Sequence, residues 1–123
     1  MKALLTMAAV TVLTAAPVYA DCPYPAAPNK IPDGATATME EMLAGQKAVK
    51  EYDKAISDYN SCIDKELDDS IAKAGDKLKP EQKADMQKVE TQKHNAAIDQ
   101  AQSVADRFNE QVKVFKARTE KKP

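Results

Sequence analysis

Residues 38–82 read TMEEMLAGQKAVKEYDKAISDYNSCIDKELDDSIAKAGDKLKPEQ, and this stretch decides the fold. It opens on Thr38-Met39-Glu40-Glu41, the S/T-x-x-E form of a capping box. In such a box Thr38 accepts from the amide of Glu41, and the Glu41 carboxylate returns to the amide of Thr38. Two acids in the first turn also suit the positive end of a helix dipole. Apolar residues then stand at Met42, Val49, Tyr52, Ile56, Tyr59 and Ile63, in steps of seven, three, four, three and four. That spacing is a heptad seam. Leu67, Ile71, Ala74 and Leu78 extend it, with consecutive steps of four that relax any supercoil.

Gly75 is the expected helix stop. Pro80 then begins a second helix at a first-turn position, where the missing amide costs nothing. Its stripe is Met86, Val89, Ala97 or Ile98, Ala101, Val104, Phe108, Val112 and Phe115. The middle of that stripe is thin, because Glu90 and His94 occupy seam-like positions. A connection near 75–79 makes the helices antiparallel, with paired residue numbers summing to roughly 157. Phe115 then falls near Met42, Phe108 near Val49 and Val104 near Tyr52. Ala97 or Ala101 lies beside Ile56 and Tyr59, so large residues face small ones. Lys113, Lys116 and Arg118 fall near Glu40 and Glu41.

Outside the hairpin the sequence changes character. Pro23, Pro25, Pro28 and Pro32 crowd residues 21–37, which read as an extended arm. Before them, Lys2, the uncharged run Ala3 to Ala16, Pro17 and the end Val18-Tyr19-Ala20 have the form of an export signal over residues 1–20. Cleavage is expected between Ala20 and Asp21. The apolar run of about 14 residues is short of the ~20 that span a bilayer, so no integral anchor is expected after cleavage. Asp21 also separates Cys22 from the cleaved end, which argues against a lipoprotein. Export makes the compartment periplasmic or extracellular and oxidising, so Cys22 and Cys62 are expected to pair, with an intermolecular bridge as the alternative.

A length argument supports the intramolecular bond. Thr38 to Cys62 is roughly 36 Å of helix, and the arm from Cys22 to Thr38 extends to roughly 50 Å. The arm can therefore double back along the first helix. Ala48, Ala55 and Cys62 form a column of small residues on which it could lie, although alanines are also simply good helix formers. The fold class expected is all-α. It is an antiparallel, coiled-coil-like two-helix hairpin over 38–118, with helices about 38–74 and 80–118 and a tail at 119–123. The proline-rich arm is tethered to it by Cys22–Cys62.

Composition narrows function without naming one. Removing residues 1–20 leaves 17 basic and 19 acidic residues, which gives no electrostatic reason to expect nucleic-acid binding. His94 is the only histidine and cannot build a multi-ligand metal site alone, though it could respond to pH. Met39, Met42 and Met86 sit at opposite ends of the hairpin and read as core filler rather than copper ligands. Tyr52 and Tyr59 lie one heptad apart on the seam, with hydroxyls expected at the helix edge. The acid pairs Glu40-Glu41 and Asp68-Asp69 are adjacent on a helix and point in different directions, so neither is a catalytic dyad. No nucleophile with a base, glycine-rich phosphate loop or calcium loop appears. No enzyme and no cofactor is expected.

Leu78-Lys79-Pro80-Glu81-Gln82 resembles the LTPEQ version of the LTxxQ motif of Spy/CpxP-type periplasmic chaperones. It has Lys79 where the motif has threonine, and the second copy is missing. A broader resemblance is carried by Ile31-Pro32-Asp33-Gly34-Ala35, by Glu41-Met42-Leu43-Ala44 and by Gln46-Lys47-Ala48-Val49-Lys50. Tyr59 with Cys62, and Arg107-Phe108-Asn109-Glu110-Gln111-Val112, continue it. These segments resemble a family of small secreted proteobacterial proteins without an assigned activity, which implies export and a hairpin but assigns no functional residue. The expected role is therefore that of an envelope protein acting through contact with another protein. A holding chaperone and a small-ligand or metal carrier are the alternatives, and a homodimer is possible because two helices leave flanking apolar positions to cover.

Overall fold

The computed structural model describes residues 22–121; the export signal expected over residues 1–20 and the expected cleavage position between Ala20 and Asp21 lie outside them. Helix α1 spans Met39–Ala74 and helix α2 spans Pro80–Glu120, joined by a 3₁₀ turn at Gly75–Lys77. The start of α1 is the Thr38 capping box. The Glu41 amide donates to Thr38 Oγ1 at 3.1 Å, and the Thr38 amide donates to a Glu41 carboxylate oxygen at 2.7 Å. That second bond holds the Glu41 carboxyl below its ordinary pKa. Gly75 ends α1 at φ 51°, a positive value glycine adopts without a Cβ penalty, and its amide donates to the Ile71 carbonyl. Pro80 opens α2, and the Gln82 side chain accepts from the Lys79 amide at 3.0 Å. The Leu78–Gln82 stretch is thus the helix start, with Gln82 closing its first turn.

The helices run back along one another in a hairpin. Tyr52, Ile56, Ala97, Ala101 and Val104 form one buried cluster. Ala37, Met42, Phe108 and Phe115 form a second, and Val49 packs against both. Ala97 and Val104 are fully buried, whereas Ile98 is half exposed, so Ala97 takes the seam position. A small residue there leaves room for Tyr52, Ile56 and Tyr59 opposite, which is how unequal side chains reach close packing. Both clusters lie in the half of the hairpin remote from the turn. Nearer the turn the seam opens: Leu67, Ile71, Leu78 and Met86 are only half-buried, and Val89 is 49% exposed.

Three details differ from the sequence reading. Helix α2 continues through Glu120, two residues past the expected end, where Thr119 Oγ1 donates back to the Phe115 and Lys116 carbonyls. The expected closeness of the basic residues near the end of α2 to Glu40 and Glu41 gives no ion pair between them among the described residues. Instead Lys113 binds Glu110 within its own helix, and Arg118 donates to the Ala37 carbonyl. The Tyr52 hydroxyl does not reach the helix edge, because the residue is only 4% exposed.

Candidate functional site

The first candidate is the end of the hairpin where residues 22–38, which carry neither helix nor strand, lie against both helices. Cys22 is bonded to Cys62 of α1 across a Cα–Cα distance of 5.7 Å. The ring of Tyr24 meets that of Tyr59 edge-on, with centroids 5.0 Å apart. Ala27 and Ile31 pack on the Tyr52–Val104 cluster. Pro32 is buried, and two of its ring carbons occupy the place where a Cβ on Gly45 would stand, 2.6 and 2.7 Å from it. Gly45 therefore has a steric reason to interrupt a helix, at a propensity cost of about 1 kcal/mol relative to alanine.

The turn after Pro32 ties this segment to α2. Asp33 accepts from the amides of Thr36 and Ala37 with its carbonyl and from the Ala35 amide with its carboxylate. The Gly34 amide donates to Gln111 Oε1 at 2.8 Å. Ala37 is buried beneath, and the Arg118 guanidinium that binds its carbonyl also stands 5.1 Å from the Phe115 ring centroid. Sequence reasoning did not single out Gly45, Gln111 or the Arg118 contact.

Beneath this segment, burial pushes the Tyr52 hydroxyl up to about 12, with the neighbouring Tyr24 hydroxyl adding to the shift. The buried oxygen has no hydrogen-bond partner of good geometry among the described residues. In the unfolded chain the same hydroxyl ionises near 10. The folded state therefore keeps its proton longer, so stability is constant below pH 10, falls between pH 10 and 12, and levels above that. The full loss is on the order of 2 kcal/mol. Thermal unfolding of Tyr52→Phe should show no loss of stability at neutral pH and a shallower fall in melting temperature above pH 10. An unchanged alkaline slope would contradict this placement of Tyr52.

A polar patch occupies the opposite face. Asn60 is buried, its amide nitrogen reaches the His94 carbonyl at 3.5 Å, and its oxygen lacks a partner among the described residues. His94 is half-buried at the seam. At the patch's edge Asp64 meets Glu90, which stands between the helices and also lines the groove described below; the hydrogen bond with Asp64, then burial, raises the Glu90 pKa. Among the described residues no group of three His, Cys, Asp or Glu is placed to hold a metal ion. Met39 is exposed at the open end, Met42 is buried in the core and Met86 lies near the turn. Asp69 pairs with Lys65 at 2.7 Å along its own helix, so the Asp68-Asp69 pair faces nothing on α2.

The second candidate is the open groove on the turn-side half. Ile63 and Leu67 of α1 and Met86 and Val89 of α2 form its floor, and its volume is about 330 Å³. Such a volume accommodates side chains, and the groove is open to solvent rather than enclosed as small-molecule sites are. No family model matches the chain, and no curated protein or solved structure matches it either. Function must therefore be argued from these surfaces. Among the described residues no helix is long and apolar enough to cross a membrane.

Proposed function

We propose that this chain is an exported envelope protein of the periplasm that works by binding another protein, with a removable signal at residues 1–20. The observation that carries this reading is the distribution of apolar surface. The core is well covered where residues 22–38 meet the helices, while Val89, Ile98, Leu43 and Val114 present large apolar side chains to solvent. Surface of that kind, distributed over a long hairpin and rimmed by charge, serves contact with macromolecules better than enclosure of a substrate. The Cys22–Cys62 bond is compatible with an oxidising compartment. Weak supercoiling of the seam remote from the turn belongs to the same reading, since the heptad spacing is regular there.

The test is photocrosslinking in the periplasm, with a crosslinking amino acid placed in turn at Leu43, Val89, Ile98 and Val114. A discrete partner captured at one or more positions supports the reading, and no capture at any position overturns it. The groove floor favours one more specific version, a holding chaperone, because Met86, Leu67 and Val89 offer adaptable apolar contact. Such a protein suppresses aggregation of an unfolded client at near-stoichiometric ratio.

A further inference from the structure

We infer that the groove on the turn-side half binds a short extended segment of a partner protein, carrying apolar side chains at alternate positions and at least one lysine or arginine. This rests on the interaction reading above and adds the place and chemistry of contact. The first argument is continuity. Glu66 and Ser70 line both the hollow beside the Cys22–Cys62 bond and the groove itself. The groove thus begins where the described part of the chain's own extended segment reaches Cys62.

On the other half of the same face, residues 22–38 show what suits this surface: non-helical chain, with Ala27 and Ile31 inserted toward the seam and Tyr24 against Tyr59. Past Cys62 no described residue continues that third layer, and Val89 stays half exposed. The uncovered length of α1, from Cys62 to Ala74, is roughly 18 Å at the rise of a helix. An extended chain covers that distance with five or six residues.

Charge selects the occupant. Glu66, Asp85 and Glu90 stand on the groove against a single lysine, Lys93. The acidic excess attracts a basic segment. It also disfavours a second copy of this chain, since two such grooves laid face to face would bring like charges together. Helix backbones have no free amide or carbonyl groups to offer, so affinity comes from side chains alone and should be micromolar.

The experiment uses the oxidised chain without residues 1–20 and a fluorescein-labelled six-residue peptide of alternating leucine or valine and serine, with one lysine. Fluorescence anisotropy should show micromolar binding. Replacing the peptide lysine by glutamate should weaken it at least fivefold. Val89→Lys should weaken it at least tenfold, while Ile98→Lys, on the opposite face, should leave it unchanged; circular dichroism verifies that both variants fold. Absence of binding to the lysine peptide, or equal binding by Val89→Lys, overturns the inference. So does concentration-dependent self-association that Val89→Lys abolishes, because a second copy would then fill the groove. Periplasmic crosslinks at other faces but none at Val89 would remove this site and leave the interaction reading standing.

Discussion

Reduction of Cys22–Cys62, or its replacement by Cys22→Ser with Cys62→Ser, lowers the melting temperature by roughly 15–30 °C. The bond closes a loop of 40 residues. In the chain-entropy description, releasing such a loop costs about 4 kcal/mol of stability. For a domain of about 100 residues, each kcal/mol moves the midpoint by about 4–8 °C. The loss is large here because two helices alone make a modest core, and much of that core is completed by Ala27, Ile31 and Ala37 from the tethered segment. Thermal unfolding followed by far-ultraviolet circular dichroism, with and without reductant, measures it. A midpoint indifferent to reductant would mean that the segment holds its place without the bond.

Gly34→Ala is the second large effect, expected to cost 2 kcal/mol or more, at the upper part of the range of about 1–3 kcal/mol for overpacking. A Cβ on Gly34 would stand 2.0 Å from the Gln111 carbonyl oxygen and 2.8 Å from the Phe115 amide nitrogen. Both are backbone atoms of α2 and cannot rotate aside. Either the turn lifts, breaking the Gly34–Gln111 hydrogen bond, or α2 bends. Gly75→Ala makes the contrast: there a Cβ meets nothing within 4 Å, and the cost, about 1–3 kcal/mol, comes from the backbone alone at φ 51° and ψ −133°. Urea unfolding measures both losses. In a chain lacking the disulfide the Gly34→Ala cost should shrink, because the two changes act on the same contact. Full additivity would contradict a shared docking event.

The elements read correctly from sequence are those set by neighbours along the chain. Thr38 with Glu41, Gly75 and Pro80 each act within a few residues of themselves, so their chemistry is visible in the letters. The heptad spacing placed Tyr52, Ile56, Ile63, Val104, Phe108 and Phe115 in the core, and antiparallel numbering brought the right partners together. The choice between Ala97 and Ile98 stayed open because adjacent residues differ by a rotation that only packing fixes.

What stayed hidden depends on three segments meeting. Gly34 carries a turn signature, yet its essential property is contact with the α2 backbone, 77 residues away. Gly45 makes room for Pro32, and a helical glycine was the one local hint of it. Arg118 could be matched to acids by charge, but the bend at Asp33 brings the Ala37 carbonyl closer. Asn60 and the Glu90–Asp64 contact sit at the seam's edge, where periodicity says little about depth. The groove itself was partly legible. Glu90 interrupted the α2 stripe, and Cys62 marked where the arm would end. Joining those two facts requires knowing that both concern one face.

The most direct measurement is peptide mapping, without reduction, of the protein recovered from the periplasm. The expected result is a chain beginning at Asp21 in which the Cys22 peptide is linked to the Cys62 peptide of the same molecule. Free thiols at both positions, or a bridge joining Cys22 of one molecule to another, would detach the non-helical segment from α1. The docked layer and the groove that continues it would then have no basis.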